Sequence, residues 1–245
     1  MSLPVHHHPS LSGVGPGDAV TLEGDEAHHA VAVRRLRTGE RLVLVDGLGT
    51  AATAEVAETG KRRLVATVTG VERSEPPRPS VTVVQALPKG ERGELAVEVL
   101  TEVGVARVVP WSAARSVAVW KGERVARSLA RWRATAREAA KQSRRAWWPE
   151  VADLATTGDV VGLLAGRTAV VLHEEATGTL ADVAVPTDGE VVVVVGPEGG
   201  LTDEEVAAFA AAGAVPVRLG AEVLRTSTAG LAAVAALLAR TPRWG

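Results

Sequence analysis

The 245-residue sequence predicts an α/β protein in two parts, a small β-barrel followed by a larger domain built on a parallel sheet. Three observations support this fold class. Short runs of alternating apolar and polar residues recur from Asp18 to Val71, within a predicted first domain of residues 1–73, as in small antiparallel sheets. A polar, proline-rich stretch at residues 74–79 has the stiff composition of a linker. Beyond it, within residues 80–245, apolar strands alternate with helical segments, which is typical of a parallel sheet with crossover helices.

Composition narrows the classes of function. The chain has no cysteine, which excludes disulfides, thiol nucleophiles and cysteine-bound zinc or iron–sulfur centres. The net charge is −2, so a nucleic-acid partner must be bound by a local basic patch. No uninterrupted apolar run is long enough to span a bilayer, and the N-terminus lacks the pattern of a signal peptide. We therefore expect a cytoplasmic protein that does not enter a membrane.

The first part of the chain is predicted to form short strands around one helix. The expected strands are Ala19–Leu22, Glu40–Asp46, Ala51–Ala57 and Arg63–Val71. A helix is expected over Glu26–Leu36 with Asp25 as its N-cap, and Asp46-Gly47 indicates a hairpin turn. Several short strands at this spacing favour a small barrel.

Three adjacent histidines, His6, His7 and His8, stand near the N-terminus. Neighbouring side chains do not easily close around one ion, and the nearby sequence offers no cluster of carboxylates. We therefore predict no metal site.

The second part is predicted to begin with a strand–helix–strand unit. Ser80–Leu87 is the first strand, Pro88–Arg92 a turn, and Glu94–Val103 a helix that ends at Gly104. Val105–Pro110 is the second strand, so the two strands should be parallel and joined by a right-handed crossover.

A basic helix is expected next. Residues 115–145 hold ten basic and two acidic residues, and apolar side chains recur between Val125 and Ala139 at helical spacing. A solvated surface is the ordinary interpretation, but like charges at this spacing repel one another, so we favour phosphate contacts. Trp147 and Trp148 follow. They could stack on bases, but tryptophans beside a proline more often pack into the protein.

Residues 191–201, V-V-V-V-V-G-P-E-G-G-L, form the most informative stretch. Five valines predict a strand buried on both faces, and the glycines after it let the backbone approach a ligand. Thr202 and Glu205 are spaced as a capping box that starts a helix. Ligands of open α/β sheets lie at such strand ends. The loop has neither Walker nor G-x-G-x-x-G spacing, and the carboxylate of Glu198 disfavours phosphate.

A second strand–glycine–helix unit lies downstream, with a strand at Ala214–Arg218 and a helical run at Leu231–Ala239. Its loop, L-G-A-E-V-L-R-T-S-T-A at residues 219–229, together with G-P-E-G-G-L, resembles the hallmark loops of the SPOUT methyltransferases, and most closely of the RsmE family. Shorter similarities lie at residues 29–35, which resemble the family's PUA-like domain, at residues 89–92 and at residues 138–144.

The resemblance implies a PUA-like RNA-binding domain and a SPOUT domain with a trefoil knot, which binds S-adenosylmethionine and pairs as a homodimer. The implied reaction methylates N3 of a uridine in the decoding region of small-subunit ribosomal RNA, as free RNA or in the 30S subunit. Ribose 2′-O-methylation and RNA binding without catalysis remain alternatives. No metal is implied.

The resemblance also implies the site residues. Arg225 is the candidate catalytic residue, which would position the uracil and stabilise its negative charge. The candidate cofactor-binding residues are His173, Glu174, Gly196, Pro197, Glu198, Gly199, Gly200, Leu219, Gly220, Leu224, Arg225, Thr226, Thr228 and Ala229. The candidate RNA-binding residues are His29, Arg35, Lys89, Arg133, Arg137, Lys141 and Arg144.

Some of these assignments leave alternatives open. Arg225 could instead form a salt bridge or contact a phosphate. His29, Arg35 and Lys89 could simply be solvated surface residues. His173 could be a general base or a structural histidine at a strand end. Ser227 stands where the family often has glutamate, so the sequence does not identify the base that removes the uracil proton.

Overall fold

The structure is a computed structural model that describes residues 3–244. The chain divides into two compact units. The first comprises the residues up to Pro76 together with Ala140–Trp148, and the second comprises Pro77–Ala139 together with the residues from Pro149 onward. The segment Ala140–Trp148 therefore packs with the first unit, although its position in the sequence had suggested the second domain.

The first unit is built on a five-stranded sheet. Its strands are β1 (Val5–His7), β2 (Ala19–Glu23), β3 (Arg41–Val45), β4 (Thr50–Thr59) and β5 (Arg63–Arg73). Their order is β1-β3-β4-β5-β2, antiparallel except for the parallel pair β1 and β3. Among the described residues, β1 and β2 do not pair with each other, so hydrogen bonding does not close the sheet into the predicted barrel.

A helical segment of the first unit follows β2 directly. Helix α1 (Gly24–His28) continues into a π-helical turn at His29–Val33. The predicted N-cap at Asp25 is wrong, because the helix begins at Gly24, immediately after the strand, and leaves no room for a capping loop. The predicted helix also ends early, since Arg35 lies in the left-handed region with φ of 59°.

The Asp46-Gly47 hairpin is confirmed between β3 and β4. Two tryptophans lie against the glycines of this turn, Trp148 at Gly47 and Trp147 at Gly49. A Cβ atom would come within 2.8 Å of the first indole and 2.5 Å of the second. The indole N–H of Trp147 also donates to the carbonyl of Ser74 at 2.9 Å. The interpretation of these tryptophans as packing residues is confirmed.

The second unit is built on a six-stranded parallel sheet. Its strands are β6 (Ser80–Ala86), β7 (Arg107–Trp111), β8 (Glu150–Val151), β9 (Thr168–Leu172), β10 (Glu190–Val195) and β11 (Val215–Val217). Their order is β11-β9-β10-β6-β7-β8, and all neighbours are parallel, as the pattern of strands and helices predicts.

Helices cover both faces of this sheet. They are α2 (Arg92–Val103), α3 (Glu123–Gln142), α4 (Thr157–Leu164), α5 (Asp203–Ala211) and α6 (Thr226–Leu238), with a 3₁₀ turn at Leu180–Asp182. The valines of β10 divide between two apolar clusters. Val191, Val193 and Val195 join one face, and Val192 and Val194 join the other. All five are buried, which confirms the strand buried on both faces.

Two helix-capping signals predicted for the second unit are also confirmed. Gly104 ends α2 with φ of 102°, as a left-handed cap. The hydroxyl of Thr202 and the carboxylate of Glu205 form a reciprocal capping box at the start of α5. No helix in the described part of the chain is both long and apolar enough to cross a membrane.

Candidate active site

A cavity of about 470 Å³ lies in the second unit at the carboxyl ends of β9, β10 and β11. These strands are neighbours in the sheet, so the loops that leave them converge on one edge. The loop after β10 carries the glycines, and the loop after β11 leads into α6. The sheet beneath is buried and holds these loops on a rigid base.

Most of the residues predicted to bind a cofactor line this cavity. They are His173, Glu174, Gly196, Pro197, Glu198, Gly200, Leu219, Gly220, Leu224, Arg225, Thr226 and Ala229. Gly199 and Thr228 do not line it. A Cβ atom on Gly199 would lie 2.9 Å from the carbonyl oxygen of Arg115, so this glycine allows close packing of two loops. The hydroxyl of Thr228 donates to the carbonyl of Arg225 at 3.3 Å.

The cavity also has lining residues that the sequence analysis did not select. They are Arg92, Leu172, Val195, Leu201, Arg218, Ala221, Glu222 and Val223. Leu172 and Val195 are the last residues of β9 and β10, and most of the others extend the loops already selected. The carboxyl ends of adjacent parallel strands were therefore a sufficient signal for these residues. Arg92 comes from the start of α2, and only the folded chain shows that it reaches this edge.

Glu198 is fixed by the turn between β6 and α2. Its Oε1 atom accepts a hydrogen bond from the backbone N–H of Lys89 at 3.2 Å and lies 3.8 Å from Nη1 of Arg92. The carboxylate therefore ties the glycine loop to the turn at residues 88–92. It also contributes negative charge to the cavity wall, which agrees with the expectation that this loop does not hold phosphate.

The hydrogen bonds of His173 argue against its role as a general base. Its Nδ1 atom accepts a hydrogen bond from the backbone N–H of Glu175 at 3.2 Å. A neutral imidazole with an accepting Nδ1 carries its proton on Nε2. The nitrogen that remains is therefore a donor and is poorly placed to take a proton from a substrate.

Arg225 is positioned by the backbone and has an available guanidinium group. Its carbonyl accepts from the N–H groups of Thr228 and Ala229, both at 2.9 Å, so the residue is fixed at the start of α6. Among the described residues, the guanidinium has no hydrogen bond or ion pair, and it is exposed at the cavity. Nearby, Nε2 of the buried Gln85 donates to the carbonyl of Thr226 at 3.4 Å and supports the same turn.

Ser227 does not face the cavity. It is buried in the first turn of α6, and the N-cap position belongs to Arg225, which makes no side-chain cap bond. Ser227 is thus not placed as a proton acceptor, whereas His173 lines the cavity with its Nδ1 atom bonded to the N–H of Glu175.

The basic residues of α3 separate into two groups. Arg137 is exposed, and its guanidinium has no partner among the described residues. In contrast, Arg133 bonds to Asp153 at 2.9 Å and to the carbonyl of Val151 at 3.1 Å. Lys141 is only 8% exposed. Beyond the helix, Arg144 is exposed with φ of 58°.

Lys141 belongs to a buried cluster of the first unit. Its ammonium donates to Oε1 of Glu26 at 2.6 Å, while Nδ1 of His6 lies 3.4 Å from Oε2 of the same carboxylate. Burial acts to raise the pKa of Glu26, but the bonds with His6 and Lys141 outweigh it and lower the pKa to about 2. Lys141 is thus committed to a carboxylate rather than presented to a phosphate.

His29 is part of the same cluster. Its ring centroid lies 5.6 Å from that of His6, and burial, with the nearby charges of His6 and Lys141, lowers its pKa. Ligand atoms of His6, Glu26 and His29 lie within 4.8 Å of one another, an arrangement that the sequence analysis missed. Because Lys141 already supplies a cation to the carboxylate, we assign no metal here.

The other two RNA-binding candidates are on the surface of their own units. Arg35 is exposed directly after the π-helical turn of the first unit. Lys89 is exposed in the turn between β6 and α2, and its ammonium has no partner among residues 3–244. Both positions are compatible with a phosphate contact.

Comparison with known proteins agrees with this arrangement. A family model described as RNA methyltransferase domain matches residues 74–238, and one described as RNA methyltransferase PUA domain matches residues 22–69. The fold and its loop cavity thus define an RNA methyltransferase with a PUA domain.

Individual relatives define the family more closely. The ribosomal RNA small subunit methyltransferase E of Mycobacterium bovis is 49% identical over 233 residues, which cover 93% of this chain and 89% of that protein. The Bacillus subtilis protein of the same name is 30% identical and covers 90% of each chain. The chain therefore belongs to the ribosomal RNA small subunit methyltransferase E family.

Two solved structures are similar over nearly the whole chain. The Neisseria gonorrhoeae ribosomal RNA small subunit methyltransferase E, bound to S-adenosyl methionine, has a TM-score of 0.88 at 29% identity and covers 97% of this chain and 98% of its own. A Legionella pneumophila protein in complex with bound SAM has a TM-score of 0.89 at 28% identity and covers 98% and 99%.

Proposed function

We propose that this protein transfers a methyl group from S-adenosylmethionine to N3 of a uridine in the decoding region of 16S ribosomal RNA. The observation that carries this proposal is the convergence of the β9, β10 and β11 loops on one cavity with Arg225 at its edge, whose guanidinium has no partner within residues 3–244. The relatives named above act on small-subunit ribosomal RNA by name, and two structural neighbours hold the cofactor.

The cavity fits the proposed cofactor. Its volume of about 470 Å³ is in the range of pockets for small molecules. Gly220 leaves open space, since a Cβ atom there would meet only Oε2 of Glu222, at 3.8 Å. The main chain of the glycine loop offers hydrogen-bonding groups to an adenine edge, and Glu174 and Glu222 add carboxylates to the lining for a cationic ligand.

The chain's own residues would act on the uracil. When bound, S-adenosylmethionine supplies an electrophilic methyl group. N3 of uracil is a weak acid that must lose its proton before or during attack, and the resulting charge spreads to the two carbonyl oxygens. The guanidinium of Arg225 would bind that charge, which stabilises the transition state and lowers the pKa of N3. Since His173 is a donor and Ser227 is buried, we propose that solvent takes the proton.

The N3 edge of uracil takes part in base pairing, so the target base must be unpaired or extruded before it can react. Exposed cations would hold the surrounding backbone. In the second unit these are Lys89 and Arg137, and in the first unit Arg35. We omit Lys141 from this set because it is buried against Glu26, and we assign Arg133 mainly to its bond with Asp153.

Three further features complete the proposal. The segment that follows β11 would thread through a neighbouring loop as a trefoil knot, and the enzyme would act in the cytoplasm as a homodimer. A separate, largely apolar cavity beside α6, lined by residues such as Leu219, Ala232 and Ala236, supports a dimer surface there. A monomeric mass at micromolar concentration would contradict the dimer.

Transfer of a labelled methyl group to purified small ribosomal subunits that lack the modification tests this function. We expect label in 16S RNA from the wild-type protein and none when large subunits replace small ones. Calorimetric titration with S-adenosylmethionine should show binding without added metal. Cofactor binding without transfer of label to small subunits would contradict the proposed activity and indicate a protein that binds RNA without catalysis.

A further inference from the structure

A second cavity of the second unit, about 540 Å³, lies between the start of α2 and the start of α3. Its apolar wall includes Trp120 and Trp132, whose rings meet edge to face at 5.0 Å. Trp132 is buried in the core, whereas Trp120 is only partly buried and lines the cavity. The cavity therefore combines a fixed aromatic surface with access from solvent.

Three arginines of α3 also line this cavity. Arg131 is neutralised by Glu94 at 3.2 Å. Arg124 and Arg127 are both exposed, and within residues 3–244 neither guanidinium has an ion pair or hydrogen bond. Two uncompensated cations next to an indole favour a ligand that is both anionic and flat. The remaining charged lining residue, Glu91, lies on the α2 side and would direct an anionic group towards α3.

The location relates this cavity to the proposed active site. The turn between β6 and α2 lines both, since Arg92 borders the cavity at the strand ends and Gly90 and Glu91 border the second cavity. The same turn is tied to Glu198 through the backbone N–H of Lys89. The two cavities therefore border the same turn, on either side of residues 90–92.

We propose that this cavity binds one nucleotide of the RNA substrate next to the target uridine, with its base on Trp120 and its phosphate on Arg124 and Arg127. This assignment rests on the proposed function in one respect, that RNA is the substrate. Stacking on an indole tolerates any base, so the cavity would increase affinity and orient the strand without strong sequence preference.

Binding of a fluorescein-labelled single-stranded RNA oligonucleotide, measured by anisotropy over a range of salt concentrations, tests the assignment. The double variant Arg124→Gln, Arg127→Gln should reduce the slope of log K against log salt by about 0.7, since both arginines contact the same phosphate and one lost phosphate contact accounts for about 0.7 on a single strand. Ser128→Phe should fill the cavity and raise the Kd about five- to a hundredfold, the range expected for loss of one stacked base.

The matched control is the double variant Arg78→Gln, Arg167→Gln. It removes the same charge from arginines of the second unit that are paired with Asp188 and Glu190, and it should leave the salt slope close to that of the wild type. Calorimetry with S-adenosylmethionine should give the wild-type Kd for every variant, which also shows that each is folded.

The outcomes separate this inference from the proposed function. If the wild-type protein binds the cofactor but not RNA, the proposed function fails and this assignment fails with it. If the wild-type protein binds RNA and both the arginine double variant and Ser128→Phe bind it equally well, the nucleotide site is wrong while the proposed function stands.

Discussion

The loops at the ends of β9, β10 and β11 place three glycines at the wall of their cavity, whereas helix α3 carries a row of long charged side chains. At the strand ends, the shape of the main chain decides what can enter, and a single added methyl group should matter. Along α3, the exact position of each side chain should matter less for RNA binding than the number of arginines that lack a partner within the protein. The two regions should therefore respond to different kinds of substitution, one to added volume and the other to removed charge.

Within the cavity, Arg225 is the charged side chain proposed to contact the substrate, and its removal should have the largest effect. We expect Arg225→Ala to lower kcat about a hundred- to a thousandfold, as for loss of one preorganised charge-stabilising group. The affinity for S-adenosylmethionine should stay at the wild-type value. Single-turnover methylation and calorimetry measure the two quantities. A parallel loss of cofactor affinity would assign Arg225 to the cofactor instead.

Substitutions that add volume at the strand ends should have the second-largest effect. Gly220→Val should weaken cofactor binding about five- to a hundredfold, since overpacking a fitted site costs about 1–3 kcal/mol. Gly220 is better suited than Gly200, whose φ of 73° would strain any side chain. Gly162→Val, at an open position of α4, is the matched control. Wild-type cofactor affinity in Gly220→Val would place the cofactor elsewhere.

At the C-terminal end of α3, the cation Lys141 is already paired with the carboxylate of Glu26. The pKa of Glu26 is about 2 in the folded protein and 4.5 for an unperturbed glutamate, so its contribution to stability is fully present above pH 4.5 and is lost as the pH falls towards 2. We expect a loss of about 2 kcal/mol over that window, discounted for partial exposure. The free energy of unfolding would be measured by denaturant titration across this pH range for the wild type and Glu26→Gln. Glu58→Gln, at an exposed position, is the control. Equal pH dependence in wild type and Glu26→Gln would refute the assignment.

The smallest expected effect is a difference between Arg137 and Arg133 of α3 in the salt dependence of RNA binding. Arg137→Gln should reduce the salt slope of RNA binding by about 0.7, because it removes one phosphate contact. Arg133→Gln should change the slope less and lower stability instead, since it breaks the bonds to Asp153 and Val151. Anisotropy titrations and thermal melts provide both readouts. Identical slopes for the two variants would mean that pairing within the protein does not decide which arginines contact RNA.

The sequence predicted those parts of the fold that depend on local rules. Val191–Val195 formed a buried strand because five β-branched apolar residues in a row suit a sheet covered on both faces. Thr202 and Glu205 formed a capping box because both partners lie within one turn of helix. The cavity loops followed from the same logic, since the carboxyl ends of neighbouring parallel strands share an edge.

The features that the sequence did not predict depend on contacts between distant residues. Lys141 and Glu26 are 115 positions apart, and the charge pattern of a helix does not show which cation finds a buried carboxylate. Gly199 resembles the other loop glycines, yet it packs against Arg115 outside the cavity. The direction of the His173 hydrogen bond likewise depends on how the loop after β9 turns back.

The central claim, that the chain methylates N3 of one uridine, is tested most directly by mass spectrometry of nucleosides. Unmodified small subunits would be incubated with the protein and isotope-labelled S-adenosylmethionine, and their RNA digested completely. We predict a single labelled product, N3-methyluridine, which maps to the decoding region and is nearly absent with Arg225→Ala. Label on a ribose, or on a base other than uracil, would contradict the account and favour a 2′-O-methyltransferase or another base specificity.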